Sequence, residues 1–393
     1  MTSAEWMELE EISQLKTYRK WPISLEKGSG AWVEDTDGKR YLDLYGGHCV
    51  AFLGHNHPAV VQAVKDQADK LLFYSNAVYS PARARASAAL AALAPKGMGN
   101  IFFINSGAEA NETAMKMARK ATGRSGIVAM EGDFHGRSLG ALSVTWQAAY
   151  RKGHESSFGP VTFVPFGDAE KTCAVILESK PAAVIIEPIQ STSGMRTAPV
   201  SFFKAVAGAC KEAGSMLIMD EVQTGVGRTG AFTYSQVVGI EPDMITLAKS
   251  LGGGVPVGAV LISDEVAATV NYGDQGTTFG GAPLAMAAVE ATLKALVDEG
   301  LTERSVQIYD LFEKGCTERG LRVQGAGCLV GIDFGRPMGV FVTGLREKGI
   351  LVGGSADPNI MRLMPPGVLT DEEIELFFTA LDQVTALAME VVS

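Results

Sequence analysis

Three loops of this chain carry residue types that can do chemistry, and each sits at the end of a short apolar run. The first is Asn105-Ser106-Gly107-Ala108-Glu109, closing IFFIN at 101–105. Its Ser-Gly turn opens a helix-like stretch, AEANETAMKMARKATG, with Glu109 and Glu112 near the start, Arg119 and Lys120 near the end and Gly123 just beyond. A helix start of this kind offers free backbone N–H groups and a hydroxyl to an anion such as phosphate. Taken alone, it reads first as ordinary helix capping. The second loop, Asp220-Glu221-Val222-Gln223-Thr224-Gly225, follows SMLIM at 215–219. A carboxylate directly after a buried strand costs desolvation energy unless it meets a cation. That cation is either a structural salt-bridge partner, or a cationic ring or metal ion. The third is Lys249, at the end of ITLAK and just before Gly252, Gly253 and Gly254. A partly desolvated amine there can act as a nucleophile, although a lysine snorkelling from a strand end is the plainer reading.

Together the three specify more than each does singly. A phosphate-binding helix start, a carboxylate and a lysine, all on strand-end loops of one sheet, are what pyridoxal 5′-phosphate requires. Other patterns lead away from that chemistry. GVGRTG at 225–230 fits G-x-G-x-x-G, but AFTYS after it is not helical and the acidic partner of a dinucleotide loop is missing. No Gly-rich loop carries the GK[ST] of a P-loop. His55 and His57 form an HxH pair with no apparent third ligand nearby, so no metal is expected.

The elements that must position these loops alternate between strand-like and helix-like. Apolar runs at 101–105, 182–186, 215–219, 244–247 and 257–262 are separated by helical stretches such as 201–213. That alternation predicts an α/β domain with a mostly parallel sheet, in which ligands sit at the carboxyl ends of the strands. A long Ala- and Leu-rich helix at 283–299 then leads to a segment with its own pattern. It is helical at 301–319, strand-like at 321–334, and helical again at 339–348 and 371–388. Before the α/β region, one helix is expected at 8–18, and GSGAWVEDTDGKRYLDL alternates around a DG turn as a β-hairpin.

Composition excludes several classes. The 34 Lys and Arg against 44 Asp and Glu give a net charge of −10, which argues against a nucleic-acid backbone binder but not against a small acidic substrate. At 47% hydrophobic and 20% charged residues, the 393-residue chain can bury a large core. Five cysteines, odd in number, widely spaced and without CxxC, point to reduced thiols rather than a disulfide framework. The N-terminal segment is acidic without an apolar signal core, and no apolar run approaches the ~18 residues of a membrane span. The expectation is a cytoplasmic protein.

At its motifs the sequence resembles the class III aminotransferases, fold type I enzymes dependent on pyridoxal 5′-phosphate, and especially their acetylornithine/ornithine branch. The likeness is carried by GHNHP, NSGAEANE, FHGRS, EPIQ, MDEVQTGVGRTG, AKSLGGGVPVGA and TTFGGAPLA, in order from about Tyr18 to the C-terminus. The resemblance implies a large cofactor-binding domain at 51–290 with a mostly parallel central sheet. A smaller α+β domain would be built from both chain ends, 1–50 and 291–393. It implies that Lys249 carries the cofactor and shuttles a proton, that Asp220 pairs with the ring nitrogen, and that Gln223 lies near the ring oxygen. Val222 and Phe134 would cover the two faces of the ring, and Ser106, Gly107 and Ala108 would hold the phosphate. Thr278 would reach the phosphate of a neighbouring subunit, which requires a homodimer. Arg137, Arg362 and Tyr18 would meet substrate carboxylates, and Glu187 would support the inner pocket.

The implied reaction is transfer of an amino group, by a ping-pong mechanism, from an acetylornithine- or ornithine-like or other ω-amino donor to a keto acid such as 2-oxoglutarate. A broad ω-amine/amino acid:pyruvate transaminase and an aminomutase of the same fold are the alternatives. Three departures from the family pattern bear on this. Thr192 stands where relatives carry a glutamate that can pair with the C-terminal arginine. His48 replaces an aromatic or aliphatic pocket residue, and Ala282 replaces the usual Asn of GGNP.

Overall fold

Short, β-rich apolar runs bounded by polar loops form strands that can be covered on both faces. In the computed structural model, which describes residues 1–390, seven of them build one central sheet. Their order across it is Asn100–Ile104, Gly258–Ile262, Met244–Leu247, Met216–Asp220, Ala183–Ile186, Ile127–Met130 and Val161–Val164. All neighbours are parallel except Gly258–Ile262, which runs antiparallel to both of its partners. Alternate residues of each strand feed two separate cores. Val184, Ile186, Leu217 and Met219 belong to one, and Ile185, Ile218 and Met244 to the other. This is the mostly parallel α/β architecture that the alternation of runs predicts.

The geometry that matters is the alignment of strand ends. Met130, Ile186, Asp220 and Leu247 are the last residues of four parallel strands, and the loops after them carry Phe134, Glu187, Val222 and Lys249. Gly258 pairs with Ile104, so the start of the antiparallel strand brings the Ser106 turn to the same edge. A Cβ at Gly258 would lie 2.6 Å from the Ser106 carbonyl oxygen, so this close crossing needs glycine.

The chain ends build the rest. Trp32–Asp35 and Arg40–Asp43 form the expected hairpin, and Ile350–Leu351 joins it in parallel alongside Leu42 and Asp43. The strand-like run at 321–334 is an antiparallel pair, Arg322–Ala326 and Leu329–Asp333, turning at Gly327, with Ile360–Leu363 completing three strands. The first helix is Ser3–Ser13 rather than 8–18. A capping box between Thr2 and Glu5 fixes its start, and the chain is non-helical from Gln14. The helix Pro283–Asp298 starts at Ala282 without a side-chain cap, because alanine has no oxygen to offer. Among the described residues all five cysteines are free, and no helix is long and apolar enough to cross a membrane.

Candidate active site

The three chemical loops converge on one cleft of about 450 Å³, which is lined by Ser106, Gly107, Ala108, Phe134, Arg137, Glu187, Asp220, Val222, Gln223 and Lys249, among others. Ser106 is the N-cap of helix Gly107–Thr122, and its hydroxyl accepts from the Glu109 N–H at 3.2 Å. The bland reading of this turn as a cap is therefore correct. It does not compete with anion binding, because the first N–H groups of the helix have no intrahelical acceptor. Gly107 packs so closely on Val222 that a Cβ there would lie 2.8 Å from Val222 Cγ1.

Asp220 ends its strand almost fully buried. One carboxylate oxygen accepts from Asn111 Nδ2 at 2.7 Å and meets His135 Nδ1 at 2.7 Å. The other accepts from the Val222 N–H at 3.1 Å. Behind His135 the network continues: Nε2 lies 3.2 Å from Asp133 Oδ2, and Asp133 accepts from Gln190 Nε2 at 2.8 Å and from the Glu187 N–H at 3.1 Å. Burial alone would lower the His135 pKa, but Asp133 and Asp220 raise it to about 10, so the ring is an imidazolium held between two carboxylates. Glu187 receives the Phe134 N–H at 2.6 Å, and burial, then the charges of Asp133 and Asp220, raises its pKa well above the usual carboxylate value. The adjacent Glu221 faces away from this network. It accepts from the N–H and hydroxyl of Ser235 at 2.8 and 2.6 Å and caps helix Tyr234–Val238. The motif Asp-Glu thus splits into a site carboxylate and a structural one.

Lys249 is half-buried two residues beyond the end of its strand and opens a tight turn with φ of +45°. A left-handed lysine is a strained position, of the kind that recurs where geometry serves chemistry. Gln223 is 7% exposed, and its Oε1 has no hydrogen-bond partner. Phe134 packs edge-on against Tyr150, and the Arg137 guanidinium lies 3.5 Å over the Tyr150 ring.

Arg362, on strand Ile360–Leu363, is 7% exposed. Its Nε donates to the Gly354 carbonyl at 2.5 Å and its Nη1 to the Ser191 hydroxyl at 3.1 Å. Burial pulls its pKa below the ordinary arginine value, and both acceptors are neutral. Thr192 bonds elsewhere, receiving Gln147 Nε2 at 3.4 Å. His48 sits on left-handed backbone, φ +66°, with its Nδ1 hydrogen-bonded to the Tyr45 hydroxyl. Burial, then the charges of Lys249 and Arg362, lowers its pKa to about 4.

Three sequence candidates lie outside the lining of the cleft: Arg362, buried on its own strand, Tyr18 and Thr278. Tyr18 is 83% exposed, and Thr278 is exposed on the surface; neither lines the cleft of its own chain. His55 and His57 point to carboxylates, Asp43 and Glu299, each at 2.8 Å. Sequence reasoning missed Asn111, Asp133 and His135. His135 lay in plain view within FHGRS, and its signal was a histidine adjoining an aromatic and an acidic residue after a strand.

The residues present fit pyridoxal 5′-phosphate. They supply an anion-binding helix start, a buried carboxylate lining the cleft, an orphaned Gln223 oxygen and a strained lysine. Comparison with known proteins agrees. The chain matches the family described as aminotransferase class-III over residues 14–385. The acetylornithine aminotransferase of Archaeoglobus fulgidus is 42% identical over 371 residues, covering 94% of this chain and 98% of that protein. The enzyme of the same description from Methanosarcina mazei is 42% identical over 374 residues, covering 94% and 93%. The crystal structure of ornithine aminotransferase from Toxoplasma gondii superposes with a TM-score of 0.92 at 27% identity, covering 99% of this chain and 96% of that one.

Proposed function

Since this chain belongs to the class-III aminotransferases, we propose that it uses pyridoxal 5′-phosphate to pass an amino group from an amino donor to a 2-oxo acid such as 2-oxoglutarate in two half-reactions. The carrying observation is the convergence of Lys249, Asp220 and the Ser106–Ala108 helix start in one cleft. The cofactor, when bound, supplies an aldehyde and an electron-accepting ring.

This chain's residues supply the rest. The helix start and the Ser106 hydroxyl hold the phosphate. Asp220, hydrogen-bonded to Asn111 and held against the imidazolium of His135, keeps the ring nitrogen protonated. Val222 and Phe134 confine the ring, and Gln223 meets its oxygen. The Lys249 amine holds the cofactor and then moves the proton at the amine-bearing carbon of the substrate. Arg137 and Arg362 bind substrate carboxylates through their forks, while Tyr18 and Glu187 bound the substrate pocket. Thr278 reaches the partner subunit's phosphate site, so the enzyme works as a homodimer, in the cytoplasm. Arg362 has neutral partners only, which supports a donor or acceptor carrying a carboxylate within its reach.

The test is Lys249→Ala. Loss of proton transfer alone is worth on the order of 10²–10⁴-fold, and cofactor should no longer be retained through denaturation. Near-normal turnover would overturn the assignment. Release of a keto acid from a single amino donor separates transfer from an aminomutase reaction.

A further inference from the structure

The glycine-rich stretch 225–230 is not a dinucleotide loop, and its arginine has a different use. Arg228 is 0% exposed, the largest fully buried side chain among the described residues. Its hydrogen-bond partners are all neutral oxygens. Nη1 donates to the carbonyls of Cys328 at 3.3 Å, Met364 at 3.4 Å and Pro365 at 3.0 Å. Nη2 donates to the Cys49 carbonyl at 3.4 Å and the Ser250 hydroxyl at 3.3 Å. Ser250 also donates to the Cys49 carbonyl at 3.3 Å, and the guanidinium lies 4.8 Å from the Phe52 ring centre.

The turn is built to deliver this side chain. Val226 and Gly227 are left-handed, φ +61° and +80°. The Arg228 carbonyl accepts from the Cys328 N–H at 2.9 Å, and a Cβ at Gly327 would lie 2.2 Å from that carbonyl oxygen. Burying a guanidinium without a carboxylate is costly unless its donors are well used. Here Nη1 and Nη2 are spent on four chain segments, around Cys49, Ser250, Cys328 and Met364–Pro365, while Nε has no partner.

Three of those four segments carry a candidate site residue nearby: the cleft-lining Lys249 and Val50, and Arg362, which lies outside the cleft lining. Ser250 follows Lys249, Cys49 follows His48 and precedes the cleft-lining Val50, and Met364 lies two residues beyond Arg362. We propose that Arg228 is a positioning residue that sets the spacing between the lysine side of the cleft and its Arg362 side by gathering these carbonyls from behind. The inference rests on the reading of Lys249 and Arg362 given above. A planar fork can hold several carbonyls in fixed directions, whereas a lysine ammonium at the same place cannot.

The experiment compares wild type with Arg228→Lys as holoenzymes. L-Glutamate drives the half-reaction, followed by cofactor absorbance, and glutarate, which has no amine, is the binding probe. Misplacement of about 1 Å costs on the order of 10²-fold in rate. The expected result is a loss of that order in the glutamate half-reaction together with weaker glutarate binding, with cofactor content and far-ultraviolet circular dichroism retained. In an Arg362→Ala background, Arg228→Lys should no longer weaken glutarate, because the two act through one contact. Unchanged rate and glutarate affinity with only a lower Tm would overturn the proposal, as would a glutarate effect that persists without Arg362. Should Arg228→Lys fail to fold, Ser250→Ala removes one acceptor alone. A slowed half-reaction with fold intact supports the clamp, and wild-type kinetics overturns it. If the wild-type holoenzyme does not react with any amino donor, the reading of function fails instead, and the glutarate measurement still judges Arg228.

Discussion

The floor of the cleft and its Arg362 side handle charge in opposite ways, and two histidines show it. On the floor His135 lies between Asp133 and Asp220, whose attraction outweighs burial and lifts its pKa to about 10. Beside Arg362, His48 is pushed down to about 4 by burial and by the neighbouring charges of Lys249 and Arg362. The same side chain is a fixed cation in one place and a fixed neutral group in the other. The floor balances its charges internally, carboxylate against imidazolium, which suits a cationic ring that stays bound through every turnover. The far side leaves cations facing neutral oxygens, Gly354 and Ser191 for Arg362, which suits anions that arrive and leave. A permanent internal anion there would compete with the substrate.

The largest break in this comparison comes from the floor. Asp220→Ala removes the anion assigned above to the ring nitrogen and leaves His135 with Asp133 alone. Losing one preorganised charge at a developing charge costs on the order of 10²–10³-fold. The loss should fall on deprotonation of the substrate rather than on cofactor affinity, which depends on the phosphate-binding helix start. Stopped-flow rates with a substrate deuterated at the amine-bearing carbon separate the two. A variant that loses cofactor but keeps its chemical rate would show that Asp220 is only a binding contact.

Much of this floor was legible as sequence, and the reason is local. A turn that opens a helix and a carboxylate or lysine that ends an apolar run are properties of a few consecutive residues. Ser106, Asp220 and Lys249 could therefore be read from their neighbours, as could the alternation that builds the central sheet. Asn111 and Asp133 could not, and His135 was visible only as a histidine after a strand, without its partners. Their roles arise only when a helix face and a loop after a different strand meet the end of Met216–Asp220. The far side was read less well for the same reason. The sequence drew attention to Thr192, but the backbone turns Ser191 toward Arg362 and Thr192 toward Gln147. Arg228 was concealed by its glycines, which looked like a failed nucleotide motif and are in fact the turn that buries a guanidinium. The helix at Ser3–Ser13 was misplaced because the Thr2–Glu5 capping box was overlooked in favour of the acidic run after it.

A smaller effect tests the far side. Thr192→Glu introduces an anion one residue from the Ser191 hydroxyl. If that carboxylate reaches Arg362, donors presenting a terminal amine without a nearby carboxylate should gain over α-amino acids. A shift of about tenfold in the specificity ratio corresponds to ~1.4 kcal/mol. L-Ornithine reacting at its terminal amine and L-glutamate, compared in both proteins, give the ratio. An unchanged ratio would mean that the residue's link to Gln147 holds it away from the substrate, and that neutrality at Arg362 is set by Ser191 alone.

The smallest expected effect reads both histidines at once, through the pH dependence of stability. His135 has its pKa raised from 6.5 to about 10 on folding. Its contribution is complete below pH 6.5 and is lost as pH rises through 10, because the unfolded chain releases that proton first. Asp133→Asn removes one of the two carboxylates that hold the proton, so the alkaline decline, which still starts near pH 6.5, should end about 1–3 pH units lower and be correspondingly smaller. Burial raises the pKa of the Asp133 carboxyl itself. His48 has its pKa lowered from 6.5 to about 4, so its contribution is present above pH 6.5 and is lost as pH falls through 4. His48→Gln should flatten the acid limb without touching the alkaline one. Its effect should be the smaller, since His48 is only partly withdrawn from water, which screens the neighbouring charges, whereas His135 is 2% exposed. Denaturant midpoints from pH 4 to 10 for the three proteins give both limbs. If Asp133→Asn left the alkaline limb in place, His135 would not be held as a cation between two carboxylates, and the contrast between the two sides of the cleft would reduce to burial alone.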